Sequence, residues 1–110
     1  MDMLTKLEEL VLIAVLKLKD QAYGISIYDY VVLKTGNKVA VSSVYFPLER
    51  LVRKGYLESF KGEPTPKRGG MRKKYYVLTE EGASVLQENR ELNRTIWKDV
   101  DGAAPRGAKV

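Results

Sequence analysis

Six basic side chains lie in one Pro- and Gly-rich segment, from Lys61 to Lys74. They are Lys61, Lys67, Arg68, Arg72, Lys73 and Lys74, and the only acid among them is Glu63. The segment's charge of +5 equals that of the whole chain, in which 19 Lys and Arg face 14 Asp and Glu. Ammonium and guanidinium groups concentrated in this way bind phosphate. This segment is therefore the first candidate for a polyanion-binding site.

The same residues could also form a solvated loop whose charge only keeps the protein soluble. Two glycines favour phosphate binding instead. Gly69 and Gly70 lie between Arg68 and Arg72, and a backbone without Cβ atoms can approach a ligand closely. We expect Arg68 and Arg72 to be the leading phosphate ligands.

Catalytic chemistry has little support in the 110 residues. Histidine and cysteine are both absent, which excludes Ser/His/Asp and Cys/His sets and removes the commonest metal ligands. The acids fall at helical spacing among lysines and arginines, and no GxxxxGK[ST] phosphate loop occurs. The sequence predicts no enzyme, no cofactor and no metal site.

The start of the chain, MDMLTKLEEL, carries charges where a signal peptide needs an apolar core. The longest apolar run, Leu10 to Leu16, is too short to span a bilayer. We expect a cytoplasmic protein of one domain's length that does not associate with membranes.

Hydrophobic periodicity and turn residues predict the elements that position the basic segment. Helices are expected over Thr5–Leu18, from Gly24 or Ser26 to Lys34, over Val44–Lys54 and over Glu80–Val100, with strands over Tyr56–Phe60 and Tyr75–Leu78. Ser42 and Ser43 are predicted to cap the third helix, and Thr79 the last. Pro47 predicts an irregular start to the third helix, because proline lacks an N–H.

These elements make an α+β, mainly helical fold, a winged helix-turn-helix with a basic two-stranded wing and a long C-terminal dimerisation helix. A helix fits the major groove of B-DNA, and a cationic wing beside it can follow the phosphate backbone. The expected division is a DNA-binding domain over 1–79, the dimerisation helix over 80–101 and a disordered tail over 102–110.

The dimer is predicted from apolar surface. Leu10 to Leu16 is apolar all round, and a wide apolar stripe runs from Val85 to Val100. Each is more than one small body can bury, so a two-fold exchange would cover both. The expected interface residues are Leu7, Leu10, Val11, Ala14, Leu86, Leu92, Ile96, Trp97 and Val100.

Several motifs resemble those of PadR-type transcriptional regulators. They are Tyr23-Gly24-Ile25, Val44-Tyr45 with Leu48-Glu49-Arg50-Leu51, the run from Lys54 to Ser59 (KGYLES), and the run from Gly69 to Thr79 (GGMRKKYYVLT) with Gly82. The likeness covers about Leu7 to Leu86. The length of the chain and its single C-terminal helix are similar to those of the short subgroup of that family. Phe46 is a departure, since the family usually has proline directly after the tyrosine.

The resemblance implies a cytoplasmic bacterial repressor that binds a palindromic operator in double-stranded DNA as a homodimer, its C-terminal helix crossing to the partner's first helix. The candidate DNA-contacting residues are Ser42, Ser43, Tyr45, Phe46, Arg50, Arg53, Lys67, Arg68, Arg72 and Lys73. For Arg50, an ion pair with Glu49 or Glu58 is favoured over DNA contact. For Tyr45, contact of its hydroxyl with the DNA backbone is favoured, and packing on the turn is the alternative. The resemblance also makes Trp97 a candidate effector site for a small aromatic or cationic molecule, against the plainer role of interface packing.

Three other functions stay open at this point. A winged helix can hold a protein instead of DNA, and such an adaptor would not shift random duplex at any salt concentration. A small-molecule sensor with little DNA affinity would quench Trp97 without binding duplex. A basic hairpin can also follow the backbone of RNA, which competition with single strands would detect.

Overall fold

The computed structural model describes residues 1–63, 73–104 and 106–107. Within these ranges the chain forms α1 (Lys6–Leu18), α2 (Gly24–Thr35), α3 (Ser42–Arg53), β1 (Leu57–Lys61), β2 (Lys74–Leu78) and α4 (Glu80–Lys98), with a short 3-10 helix (Lys19–Gln21) between α1 and α2. The predicted α+β order of three helices, two strands and a long last helix is confirmed, with boundaries shifted by one or two residues.

α1 is the central helix of the body. Thr5 begins it with a capping box, in which Thr5 Oγ1 accepts from the Glu8 N–H at 3.0 Å and Glu8 Oε1 accepts from the Thr5 N–H at 2.9 Å. α2, α3, α4 and β2 all pack on this helix. Val11, Leu12 and Ala14 consequently have no exposed surface.

This burial corrects two predicted interface residues. Besides α2 and α3, both β2 and α4 pack on α1, so its apolar surface is covered within one chain. Val11 and Ala14 lie in the core of the protomer and are not available to a partner. The large apolar residues that stay exposed on α1 are Ile13 and Leu16.

α2 and α3 form the helix-turn-helix. Gly36, at a φ of 70°, ends α2 in the left-handed conformation that glycine adopts without strain. The Tyr28 hydroxyl donates to the carbonyl of Val39 at 2.6 Å and holds the connection against α2. The inner faces of the two helices contribute core residues, namely Ile27, Val31, Val44, Leu48 and Leu51.

α3 is continuous although Pro47 lies inside it. The predicted cap at Ser42 and Ser43 is wrong, because both are helical residues and no side-chain cap hydrogen bond forms. Backbone bonds extend the first turn upstream instead, from the Ser43 N–H to the Ala40 carbonyl and from the Val44 N–H to the Val41 carbonyl, each at 3.0 Å. Both bonds span three residues, the spacing of a 3-10 turn, in keeping with the expected irregular start. Pro47 is buried within the helix and leaves the Ser43 carbonyl without a helical partner.

β1 and β2 pair antiparallel, with Leu57 opposite Leu78 and Lys61 opposite Lys74. The sequence did not predict a third contact on this sheet. Tyr23, just before α2, forms an isolated antiparallel bridge with Tyr75, and the Tyr76 N–H donates to the Ala22 carbonyl at 2.9 Å. This bridge fixes the wing against the start of α2.

α4 begins at Thr79, as predicted, where the hydroxyl oxygen accepts from the Gly82 N–H at 3.0 Å. Its first half belongs to the body, because Gly82, Val85 and Asn89 are buried. Beyond Asn89 no residue of the helix is buried. Of the predicted tail over 102–110, residue 105 and residues 108–110 lie outside the described residues.

Candidate nucleic-acid interface

The outward face of α3 is the first part of the candidate site. Ser42, Phe46, Glu49 and Arg53 are exposed and recur at spacings of four, three and four residues, which places them along one side of the helix. Phe46 is 69% exposed, far more than an aromatic side chain in a folded core. This face offers a hydroxyl, an apolar ring, a carboxylate and a guanidinium to whatever lies against α3.

Tyr45 lies at the edge of that face and is half-buried. Its ring packs directly on the start of α2, so closely that a Cβ atom at Gly24 would overlap it. The Tyr45 ring is therefore packed on the helix-turn-helix, and the absence of a side chain at Gly24 leaves the space that it occupies.

Arg50 faces inward to α1. Its Nε donates to Glu8 Oε2 at 2.9 Å, and Lys54 Nζ approaches the same oxygen at 3.5 Å. The ion-pair alternative expected Glu49 or Glu58, whereas the acid is Glu8, 42 residues away in the chain. Arg50 thus joins α3 to the central helix.

The Glu8 carboxylate is buried and charged. Burial alone would raise its pKa, but hydrogen bonds from the Thr5 backbone and Arg50, together with the charges of Lys54 and Arg50, outweigh that effect. They hold the pKa of Glu8 below its ordinary value of 4.5. The ion pair therefore persists at neutral pH.

The base of the wing lies beside α3. Lys74 Nζ is 3.2 Å from Glu49 Oε1, so this contact ties β2 to the outward face of α3. Lys73 Nζ sits 4.0 Å above the centre of the Tyr23 ring, a cation–π contact. The predicted wing ligands Lys67, Arg68 and Arg72 lie outside the described residues.

Aromatic rings support this base. Tyr75 meets Tyr23 edge-on at 5.6 Å between centroids and stacks on Phe60 at 5.7 Å. Tyr76 points to the other side of the sheet, where burial, with smaller effects from Glu49 and Tyr45, raises its pKa to about 12. Tyr76 is thus an uncharged phenol in the core, whereas Tyr75 is half-buried.

A second apolar surface lies on the other side of the body. An open groove of about 580 Å³ runs between α1 and α4, and its apolar lining includes Ile13, Leu16, Leu78 and Leu86. Of the other predicted interface residues, Leu7, Leu10 and Leu92 are half-buried, while Ile96, Trp97 and Val100 are exposed. Trp97 is 67% exposed on the distal half of α4.

Sequence reasoning missed three polar residues that hold this arrangement, Asp2, Glu8 and Asn89. Glu8 carried a readable signal, because Thr5-x-x-Glu8 is a capping box. Asp2 and Asn89 carried none, since their contacts join parts of the chain more than 50 residues apart.

Neither a metal cluster nor a membrane helix is found in the described part of the chain. No group of three or more acidic side chains there is arranged to hold an ion. None of the helices described is long and apolar enough to cross a bilayer.

Comparison with known proteins agrees with this geometry. The sequence model of the Transcriptional regulator PadR-like family matches residues 12–88. A PadR family transcription regulator from Clostridium difficile is 26% identical with a TM-score of 0.72, over 89% of this chain and 97% of that one. A PadR family transcriptional regulator from Eggerthella lenta is 26% identical with a TM-score of 0.66, over 84% and 79%.

A third solved structure, smu.1704 from Streptococcus mutans, is 30% identical with a TM-score of 0.68, over 87% of this chain and 83% of that one. Among curated proteins no sequence matches significantly. The family match spans more than half of the chain, from within α1 to within α4. The chain belongs to the PadR-like family of transcriptional regulators, and its winged helix-turn-helix is the DNA-binding fold of that family.

Proposed function

We propose that the protein is a homodimeric repressor that binds a palindromic operator in double-stranded DNA in the cytoplasm. α3 enters the major groove, and the wing between β1 and β2 follows the adjacent phosphate backbone. The observation that carries this proposal is the shared orientation of the two parts: Lys74 of the wing base meets Glu49 on the exposed face of α3.

The contacts divide by chemistry. Phe46 and Arg53 lie on the exposed face of α3 and reach base edges, where an apolar ring suits a thymine methyl and a guanidinium suits guanine. Lys67, Arg68, Arg72 and Lys73 bind phosphates, which fixes orientation without reading sequence. Arg50 is engaged with Glu8, so it acts by holding α3 in position.

The dimer is supported by the uncovered apolar surface on both sides of the groove. Ile13 and Leu16 on α1 and Ile96, Trp97 and Val100 on α4 are exposed large apolar residues. In a two-fold arrangement the distal α4 of each protomer lies in the groove of the other, and every exposed residue of this set gains a partner. The two copies of α3 then meet half-sites about 34–36 Å apart, one turn of B-DNA.

Repression and its release follow from this geometry. The crossed α4 helices set the distance between the two reading helices, so a molecule that binds between them changes the register with consecutive major grooves. Trp97 is the candidate effector contact, because its indole is exposed in the single chain and lies on distal α4, the part of the helix that we propose to cross to the partner. A planar cationic dye such as ethidium should quench the Trp97 emission of the dimer, and a Trp97→Leu dimer should not retain the dye.

The test of the function is recovery of DNA. The purified protein is incubated with sheared genomic fragments of its own organism, and the bound fragments are sequenced. We expect recovery of a few sites with two-fold symmetry, and their duplexes should bind more tightly than random duplex or single strands. Equal binding of single-stranded RNA and DNA would favour the RNA role, and no binding of any duplex at low salt would favour the adaptor role.

A further inference from the structure

The segment before α1, Asp2–Leu4, lies between two elements that scarcely touch each other, α3 and α4. Both helices pack mainly on α1. At one end of the segment, the Leu4 N–H donates to Asn89 Oδ1 at 3.0 Å, and Asn89 Nδ2 donates to the Asp2 carbonyl at 2.9 Å. Asn89 also donates to the Val85 carbonyl of its own helix at 2.8 Å. We call Asp2–Leu4 the strap.

The other end of the strap reaches the C-terminal end of α3. Asp2 Oδ2 accepts from Lys54 Nζ at 3.1 Å and from the Tyr56 hydroxyl at 3.0 Å. Lys54 is the C-cap residue of α3, and its N–H donates to the Arg50 carbonyl at 3.0 Å. The three residues of the strap therefore connect α4 to the end of α3 through short polar contacts.

Asn89 is a polar residue at a position where a helix usually places an apolar one. It is buried, at 5% exposure, on the face of α4 that packs against the body. A buried amide is costly unless all its groups are hydrogen-bonded, and an apolar residue of similar size would pack without that requirement. Here its oxygen and both hydrogens of its nitrogen are used, two of the three bonds being made to the strap.

We propose that Asn89 and Asp2 are positioning residues for DNA binding, which hold α3 at a fixed distance from α4 through the strap. This inference rests on the proposed function, because α3 is the helix that contacts DNA and distal α4 carries the dimer. When α4 shifts relative to the α4 of the other subunit, α3 then moves by the same amount, because the short hydrogen bonds of the strap fix the distance between the two helices. Without them α3 still folds on α1, held by Arg50 and Glu8, but its distance from α4 is no longer fixed.

The first experiment measures coupling without DNA, by amide hydrogen exchange. The reporters are the N–H groups of Lys54, Gly55 and Tyr56, which close the end of α3. We expect Asn89→Ala to speed their exchange by about tenfold, the fold-change expected when one hydrogen bond is lost. Val85→Ala is the matched control, because it perturbs the same buried face of α4 and leaves the strap bonds in place.

The comparison of the two variants decides the result. Val85→Ala should raise the exchange rates of all slowly exchanging amides by a common factor, with no additional increase at the end of α3. Asp2→Ala, which keeps the backbone carbonyl that Asn89 contacts, should reproduce the effect of Asn89→Ala on the three reporters. Exchange that rises only in α4 and around residues 2–5 in the Asn89→Ala protein would overturn the proposal.

The second experiment uses a recovered operator and versions of it with one base pair added or removed between the half-sites. Wild-type protein should bind the natural spacing best. Asn89→Ala and Asp2→Ala should lose that preference while their affinity for random duplex stays within twofold of wild type, a difference that simple loss of folded protein cannot produce. An unchanged spacing preference would contradict the proposal. If the wild type binds no duplex, the proposed function fails, and the exchange experiment alone decides whether the strap couples the helices.

Discussion

The Nε of Arg50 lies 2.9 Å from Oε2 of Glu8, and this contact ties α3 to α1, the central helix of the body. Glu8 is also the third residue of α1 and the acidic partner of Thr5 in the capping box that begins this helix. One carboxylate therefore fixes both the start of α1 and the inner side of α3. The exposed face of α3 is left to Phe46, Glu49 and Arg53.

Glu8 gives a prediction about acid stability. Its pKa is lowered in the folded protein, so the unfolded chain takes up the proton first as the pH falls. The stability from Glu8 is fully present above 4.5, its ordinary pKa, and is lost as the pH falls through the folded value. We expect Glu8→Gln to unfold at lower urea concentration at pH 7 and to lose less further stability in acid.

The measurement is urea unfolding followed by circular dichroism over a pH series. Glu58→Gln is the control, because Glu58 is an exposed carboxylate of β1. If Glu8→Gln and wild type lose stability in parallel as the pH falls, the ion pair does not contribute in the way described.

Gly82 gives a prediction about the junction of α4 and the wing. A Cβ atom at this position would overlap the Tyr56 carbonyl oxygen and would come within 2.8 Å of Leu78 Cδ1. Because one of these obstacles is backbone, we expect Gly82→Ala to lower the free energy of unfolding by about 1–3 kcal/mol. Ser84→Ala, two residues later on the exposed side, should change it by less than about 0.5 kcal/mol. Equal stability of the two variants would show that α4 does not begin against Tyr56.

Leu92 gives a prediction about assembly. It is half-buried in the protomer, between the buried first half of α4 and its exposed apolar end. An aspartate there would carry a charge into the apolar contact of the proposed dimer, so we expect Leu92→Asp to be monomeric at concentrations where the wild type is expected to be dimeric. Thr95→Asp makes the same charge change at an exposed position outside the arc of Leu86, Ile96, Trp97 and Val100, and it should leave the dimer intact. Sedimentation velocity separates the outcomes, and a dimeric Leu92→Asp protein would contradict the proposed interface.

The sequence predicted the elements well where the signal was local. Thr5, Gly36 and Thr79 each lie at a helix end and act there as their residue types suggest. Lys61–Lys74 identified the wing from charge and glycine content alone. The resemblance to PadR-type regulators also rested on short local motifs, such as KGYLES and GGMRKKYYVLT.

The misses at Val11, Ala14 and Arg50 are long-range, whereas the miss at Ser42 and Ser43 is local. Val11 and Ala14 are covered by segments that come later in the chain, so an all-round apolar helix was taken for a dimer surface. Arg50 was expected to pair with a near neighbour, yet Glu8 is 42 residues away. The cap at Ser42 and Ser43 failed because the backbone at Ala40 and Val41 already turns and starts the helix earlier.

The most direct test of the central claim is the salt dependence of duplex binding, measured by fluorescence anisotropy. If the dimer neutralises roughly 6–8 phosphates, log K should fall against log salt with a slope of about −5 to −7. Arg68→Ala with Arg72→Ala should flatten the slope by about one unit for each lost contact on every sequence. Lys34→Ala, at the end of α2 away from Gly24, should leave it unchanged. A slope that is the same in the wing variant and in wild type would contradict the account.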